Sequence, residues 1–93
     1  MKVGILTVEL HLNESMSLKD KRRVIRRLKD RVRNTFNASV AEVGEMDKWQ
    51  KAVLGIVVVS NNGKHLSGYL DSIMNFIFNE NRSMVLDYTV EVI

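Results

Sequence analysis

The strongest candidates for chemistry in this 93-residue chain are the basic side chains of residues 19–33. This segment holds nine of the fourteen Lys and Arg residues, against only two acids, Asp20 and Asp30. It carries a charge of +7, and because the whole chain carries +3, the remaining residues carry −4. Guanidinium groups form bidentate contacts with phosphate oxygens, so the segment predicts an anion-binding surface.

These residues have a helical spacing that directs most of them away from a core. At 100° per residue, Arg23, Arg27 and Arg31 form one ridge, and a second ridge runs across the same solvent face. Like charges at i and i+4 destabilise a helix, which indicates a role other than folding. We therefore predict a nucleic-acid-binding surface. Its candidate residues are Lys19, Arg22, Arg23, Arg26, Arg27, Lys29, Arg31 and Arg33.

The alternative is a solvated helix face whose arginines pair with acids elsewhere in the chain, such as Glu42, Glu45 or Asp47. Charge runs on helices are commonly of this kind, and the sequence leaves both interpretations open. A basic face can also bind an acidic protein. Membrane binding is not expected, because the opposite face of the helix is needed for the core.

Trp49 is a separate candidate, for stacking on a nucleic-acid base, because Lys48 and Lys51 flank it. Packing of the indole at the end of a sheet is the alternative. Recognition of RNA by aromatic residues on central strands is not expected, since the two most apolar strands, VGILTVEL and AVLGIVVV, contain no aromatic residue.

Residues of catalytic type are sparse. His11 and His65 have no metal-ligand spacing, and the absence of Cys excludes disulfides, thiolate nucleophiles and Cys-ligated zinc. The segment SNNGKH at 60–65 has amides that could hold an anion, but a turn followed by a helix cap accounts for it. We therefore predict no enzymatic activity, no metal and no cofactor.

Hydrophobic periodicity predicts the elements that position these residues. The predicted strands are residues 2–12, 38–46, 52–60 and 84–92. The predicted helices are residues 18–36 and 63–79. The order βαββαβ favours an α+β ferredoxin-like sandwich, a four-stranded antiparallel sheet with two helices on one face. Residues 1–93 should form a single domain, with strands 38–46 and 84–92 at the sheet edges.

Leu28 is a predicted core residue, because Ile25 and Val32 continue the same apolar stripe. Ser17 is expected to cap the start of the first helix together with Asp20. Asn37 is expected to adopt a left-handed conformation just past its end.

The sheet face without helices is expected to expose Val3, Ile5, Thr7 and alternate residues of 52–60. Exposed apolar patches often mark contacts, so a homodimer is predicted. Three acids on the same face argue against a fully buried interface: Glu9, Asp87 and Glu91.

No apolar run approaches the roughly 20 residues that span a bilayer. The N-terminal segment MKVGILTVELHL does not match a signal peptide, since it alternates in polarity and lacks a small-residue cleavage site. A cytoplasmic location is therefore expected.

Two runs, SLKDKR at 17–22 and FNASVAEVGEMDKWQKAVLGI at 36–56, resemble the YlxP-like family of small bacterial proteins, family 503 of the domains of unknown function. The resemblance covers nearly the whole chain and implies a ferredoxin-like fold. It suggests a link to ribosome maturation and translation, because genes of members often neighbour genes of that process. It implies no catalytic residues.

Two functions follow from these observations. The first is a module that binds ribosomal or structured RNA through the basic helix, with RNA or a ribosomal particle as partner. The alternative is a protein-interaction or homo-oligomeric module whose basic face binds an acidic protein.

Overall fold

The structure, a computed structural model, describes residues 1–93 and contains a four-stranded sheet covered by two helices. The strands are β1 (Lys2–His11), β2 (Ser39–Gly44), β3 (Lys51–Ser60) and β4 (Met84–Val92). The helices are α1 (Leu18–Thr35) and α2 (Gly63–Phe78). The strand order is β2-β3-β1-β4, and every neighbouring pair is antiparallel. The predicted ferredoxin-like α+β fold and its edge strands are therefore confirmed.

The core lies between the helices and one face of the sheet. Alternate residues of the two central strands have no exposed surface, including Leu6, Val8 and Leu10 of β1 and Leu54 of β3. Leu28 of α1 is buried in the same cluster, as its place in the apolar stripe predicts. Neither helix combines the length and apolar character that are needed to cross a membrane.

The helix ends are fixed by side-chain caps. The Ser17 hydroxyl accepts a hydrogen bond from the amide of Asp20 at 3.0 Å, and the Asp20 carboxylate accepts one from the amide of Met16 at 3.1 Å. The predicted cap is therefore confirmed, with the reciprocal bond one residue earlier than in a standard capping box. The prediction for Asn37 is wrong, because Glu45 is the only non-glycine residue with a positive φ. Helix α1 instead ends on the extended residue Phe36 and leads directly towards β2.

A bulge changes the alternation in β4. The register shifts where β4 faces Glu9 and Leu10, so Val85 lies opposite Leu10 and Met84 lies opposite His11. A bulge inserts one extra residue into a strand, so the residues before it point to the opposite sheet faces from those expected for an unbroken alternation. Val85 consequently packs against the core, whereas Met84 belongs to the helix-free face.

The helix-free face contains the residues expected there. Ile5 pairs with Glu91, Thr7 with Thr89 and Glu9 with Asp87, and paired residues share one face of the sheet. Val57 and Val59 extend this face along β3 and are exposed. Aliphatic and acidic side chains therefore share the helix-free face.

Candidate nucleic-acid interface

The outward face of α1 follows from its packing. Ile25, Leu28 and Val32 hold the helix against the sheet, so residues about half a turn away project into solvent. We define the open basic surface as the five exposed cations between residues 19 and 27 of the helix. They are Lys19, Arg22, Arg23, Arg26 and Arg27.

None of the five cations of the open basic surface forms an ion pair within the protein. Four of them, Lys19, Arg22, Arg23 and Arg26, line a surface depression of about 490 Å³ that contains no hydrophobic residue. Their guanidinium and ammonium groups are therefore available to an external anion.

The last turns of α1 are different, because Arg31 and Arg33 have partners. The Arg31 guanidinium pairs with the carboxylate of Glu80 and lies 5.2 Å from the centre of the Phe76 ring. Arg33 donates a hydrogen bond of 2.9 Å to the carbonyl of Val40. Two of the eight predicted residues thus contact the protein itself, while Lys29 is half-buried without an ion pair.

Two electrostatic effects make the open basic surface unfavourable for the isolated helix. Arg22 and Arg26, like Arg23 and Arg27, are like charges at i and i+4. The positive end of the helix dipole also lies at the N-terminus, where it disfavours the ammonium group of Lys19 in the first turn. An anion bound there would relieve both effects.

Lys21 belongs to the basic segment by sequence, but the structure buries it. Its side chain is 2% exposed, and its Nζ lies 2.8 Å from Oε2 of Glu42. The same Nζ donates a hydrogen bond of 2.5 Å to the carbonyl of Glu45. The Lys21 ammonium group is therefore directed into the protein, where it links α1 to the loop after β2.

The sequence contained a signal for this burial. Lys21, Ile25, Leu28 and Val32 follow one another at intervals of four, three and four residues, which is the spacing of one helix face. Lys21 thus occupies a position that the helical pattern assigns to the core.

Arg82 is a residue near this surface that sequence reasoning missed. Together with Arg23 of α1, it lines a depression of about 270 Å³, which Glu14 and Asp20 also line. Arg82 lies in the loop between α2 and β4, 59 positions after Arg23 in the sequence. Only the fold brings the two side chains to one depression, and no local pattern marks Arg82.

Trp49 does not join the open basic surface. It is 53% exposed and lines a depression with His11, Lys48 and Lys51, to which no residue of α1 contributes. A hydrogen bond from the Lys51 ammonium to Glu9, together with the charge of that carboxylate, raises the pKa of Lys51. The indole therefore lies at the end of the sheet, apart from the basic helix.

The remaining candidates for chemistry have structural partners. In the turn SNNGKH, the Asn62 side chain accepts hydrogen bonds from the amides of Lys64 and His65, at 3.0 and 3.2 Å. These amides are the donors that an anion at this helix start would need. No three His, Asp or Glu side chains lie close enough together to hold a metal ion.

Comparison with known proteins identifies the relatives of this chain. Residues 3–90 match the family model described as "Protein of unknown function (DUF503)". The chain is also 36% identical over 75 residues to "Uncharacterized protein YlxP" of Bacillus subtilis (strain 168), a match that covers 81% of this chain and 82% of that protein. Neither description names an activity. On both matches, the chain belongs to the YlxP-like DUF503 family.

Proposed function

We propose that the protein is a cytoplasmic RNA-binding module whose open basic surface contacts the phosphate backbone of structured RNA. The observation that carries the proposal is the contrast along α1. Arg31 and Arg33 have partners within the protein, whereas the five cations of the open basic surface have none. A surface kept cationic at a cost to the helix favours an anionic partner.

The composition of the surface favours recognition of shape and charge over recognition of bases. Its side chains are Lys and Arg only, and Trp49 lies elsewhere. Phosphate contacts fix position and carry no sequence information by themselves. The five cations extend along about 12 Å of helix, which suits contact with a few neighbouring phosphates. Folded RNA, in which phosphates from different strands lie close together, is therefore the preferred class of partner.

The test measures binding to ribosomal RNA at several salt concentrations. If five phosphates are contacted, log K should fall with log salt at a slope of roughly −3.5 to −4.5. The variant Arg22→Gln/Arg26→Gln should lower the affinity and reduce the magnitude of the slope by about 1.5.

The matched control is Lys2→Gln/Lys64→Gln, which removes the same charge from exposed positions outside α1. It should bind nearly as the unchanged protein does. Equal losses in both variants would show that net charge, and not this surface, determines binding. Absence of RNA binding at low salt, together with capture of an acidic protein that resists nuclease, would favour the alternative partner.

A further inference from the structure

The outer edge of β4 presents unpaired backbone groups. Val3 and Ile93 exchange two hydrogen bonds of 2.9 Å, which fixes the alternation along this antiparallel pair. Residues at odd positions from 87 to 93 therefore direct their amides and carbonyls to β1. The amides and carbonyls of Tyr88, Val90 and Val92 are directed away from the sheet. The amide of Tyr88 bonds the Asp87 side chain at 2.9 Å.

The same three residues expose apolar side chains. Tyr88, Val90 and Val92 are 43%, 50% and 44% exposed, although they lie on the helix-covered face. Phe78 at the end of α2 is 50% exposed, and its ring meets Tyr88 edge-on at 5.7 Å. One edge of the molecule thus combines free backbone groups with an apolar stripe.

We propose that β4 pairs antiparallel with β4 of a second copy of this chain, around a two-fold axis at Val90. The two sheets then form one continuous eight-stranded sheet. In this register Tyr88 lies opposite Val92 of the second copy, and the apolar stripes pack together beside the two Phe78 rings. Backbone pairing supplies the hydrogen bonds, with the Tyr88 amide exchanging the Asp87 carboxylate for a carbonyl of the second copy. The stripe supplies apolar contact.

The composition of the edge supports a second copy as the occupant. Residues 83–93 contain no Lys, Arg or Pro, the residues that commonly protect an edge strand. In the proposed register Glu91 lies opposite Thr89 and Asp87 opposite Ile93, so no two acids face each other directly. Helix α1 packs over β2, at the opposite edge of the sheet, so the proposed pairing does not place the two basic surfaces in the interface.

The other edge of the sheet is less suited to pairing. Strand β2 has six residues against nine in β4. Its register shift between Glu42 and Gly44 lies within the strand, whereas the shift in β4 lies before Asp87 and outside the paired residues 88–92. Arg33 also occupies the carbonyl of Val40 on this strand. Self-pairing of β4 leaves this less suitable edge outside the interface.

The proposed interface is a small one. Phe78, Leu86, Tyr88, Val90 and Val92 are about half exposed and leave about 400 Å² of apolar surface per copy in solvent, since an aromatic side chain presents roughly 150–250 Å² and the aliphatic ones less. The two copies together offer about 800 Å², to which the paired backbone adds, against a lower limit of about 1,000 Å² for a specific interface.

The experiment measures mass by light scattering across micromolar concentrations for the unchanged protein, Val90→Lys and Val59→Lys. Both positions are exposed valines on strands, and Val59 lies on the helix-free face. We expect a mass of twice 10.7 kDa for the unchanged protein and Val59→Lys, and a monomer for Val90→Lys.

A monomeric unchanged protein would overturn the proposal, and so would dissociation by Val59→Lys alone, which would assign the contact to the helix-free face. Amide exchange supplies a second measurement that does not depend on how the variants fold. In the unchanged protein, the amides of Val90 and Val92 should lose protection on dilution, while those of Thr89 and Glu91 keep it through β1. An equal change in amide protection for Val90 and Val92 and for Thr89 and Glu91 would contradict the proposed pairing.

Discussion

Lys21 shows how one side chain can join two parts of the fold. Its aliphatic stem lies in the core, while its Nζ contacts the Glu42 carboxylate and the Glu45 carbonyl. Glu45 has a φ of 58°, a conformation that L-residues adopt at a cost, and the contact with Lys21 holds its carbonyl in place. The ammonium group therefore stabilises the loop that follows β2.

We expect Lys21→Met to lower the free energy of unfolding by about 1–3 kcal/mol, because the Glu45 carbonyl loses its donor and the Glu42 carboxylate its counter-charge, while the volume is largely kept. Denaturant unfolding followed by circular dichroism would measure the change. Combining Lys21→Met with Glu42→Leu should cost less than the sum of the two single changes. A loss below about 0.5 kcal/mol in Lys21→Met would show that the contact contributes little.

A substitution of Leu28 tests how α1 packs against the sheet. Leu28 is buried in the core cluster, so Leu28→Ala should lower the free energy of unfolding by about 2–5 kcal/mol. The same denaturant measurement applies. A cost under about 1 kcal/mol would contradict the observed face of the helix.

At the scale of elements, α1 combines a good core face with an unfavourable charged face. Arg22→Gln/Arg26→Gln removes like-charge repulsion and keeps a similar helix propensity. We therefore expect the melting temperature of this variant to stay the same or rise. A clear fall in the melting temperature would show that these arginines have structural contacts, and would weaken the proposal for RNA.

The elements could be predicted from the sequence because their periods are strong. Leu28 at the centre of its stripe and the alternation in β1 determine which faces are buried. The bulge before Asp87 could not be predicted, since it depends on pairing with β1. The approach of Arg82 to Arg23 also depends on the tertiary fold. For the candidate site, the helical spacing predicted which face of α1 is exposed. It could not predict that Arg31 and Arg33 have partners within the protein.

At the scale of the whole molecule, charge is divided between two regions. The segment 19–33 carries +7 and the remainder carries −4, and α1 concentrates the positive part on the flank beside β2. The edge of β4, at the other side of the sheet, has Asp87 and Glu91 and no basic residue. The proposed RNA surface and the proposed self-pairing edge therefore occupy separate sides.

This division also affects how the protein would meet a charged partner. A molecule with separated positive and negative regions turns in the field of a polyanion before contact, so α1 would arrive first. Such steering raises the association rate constant and leaves the dissociation rate to the contacts themselves. Added salt would then lower the association rate constant. The position of α1 on one flank would determine how fast the partner binds as well as where it binds.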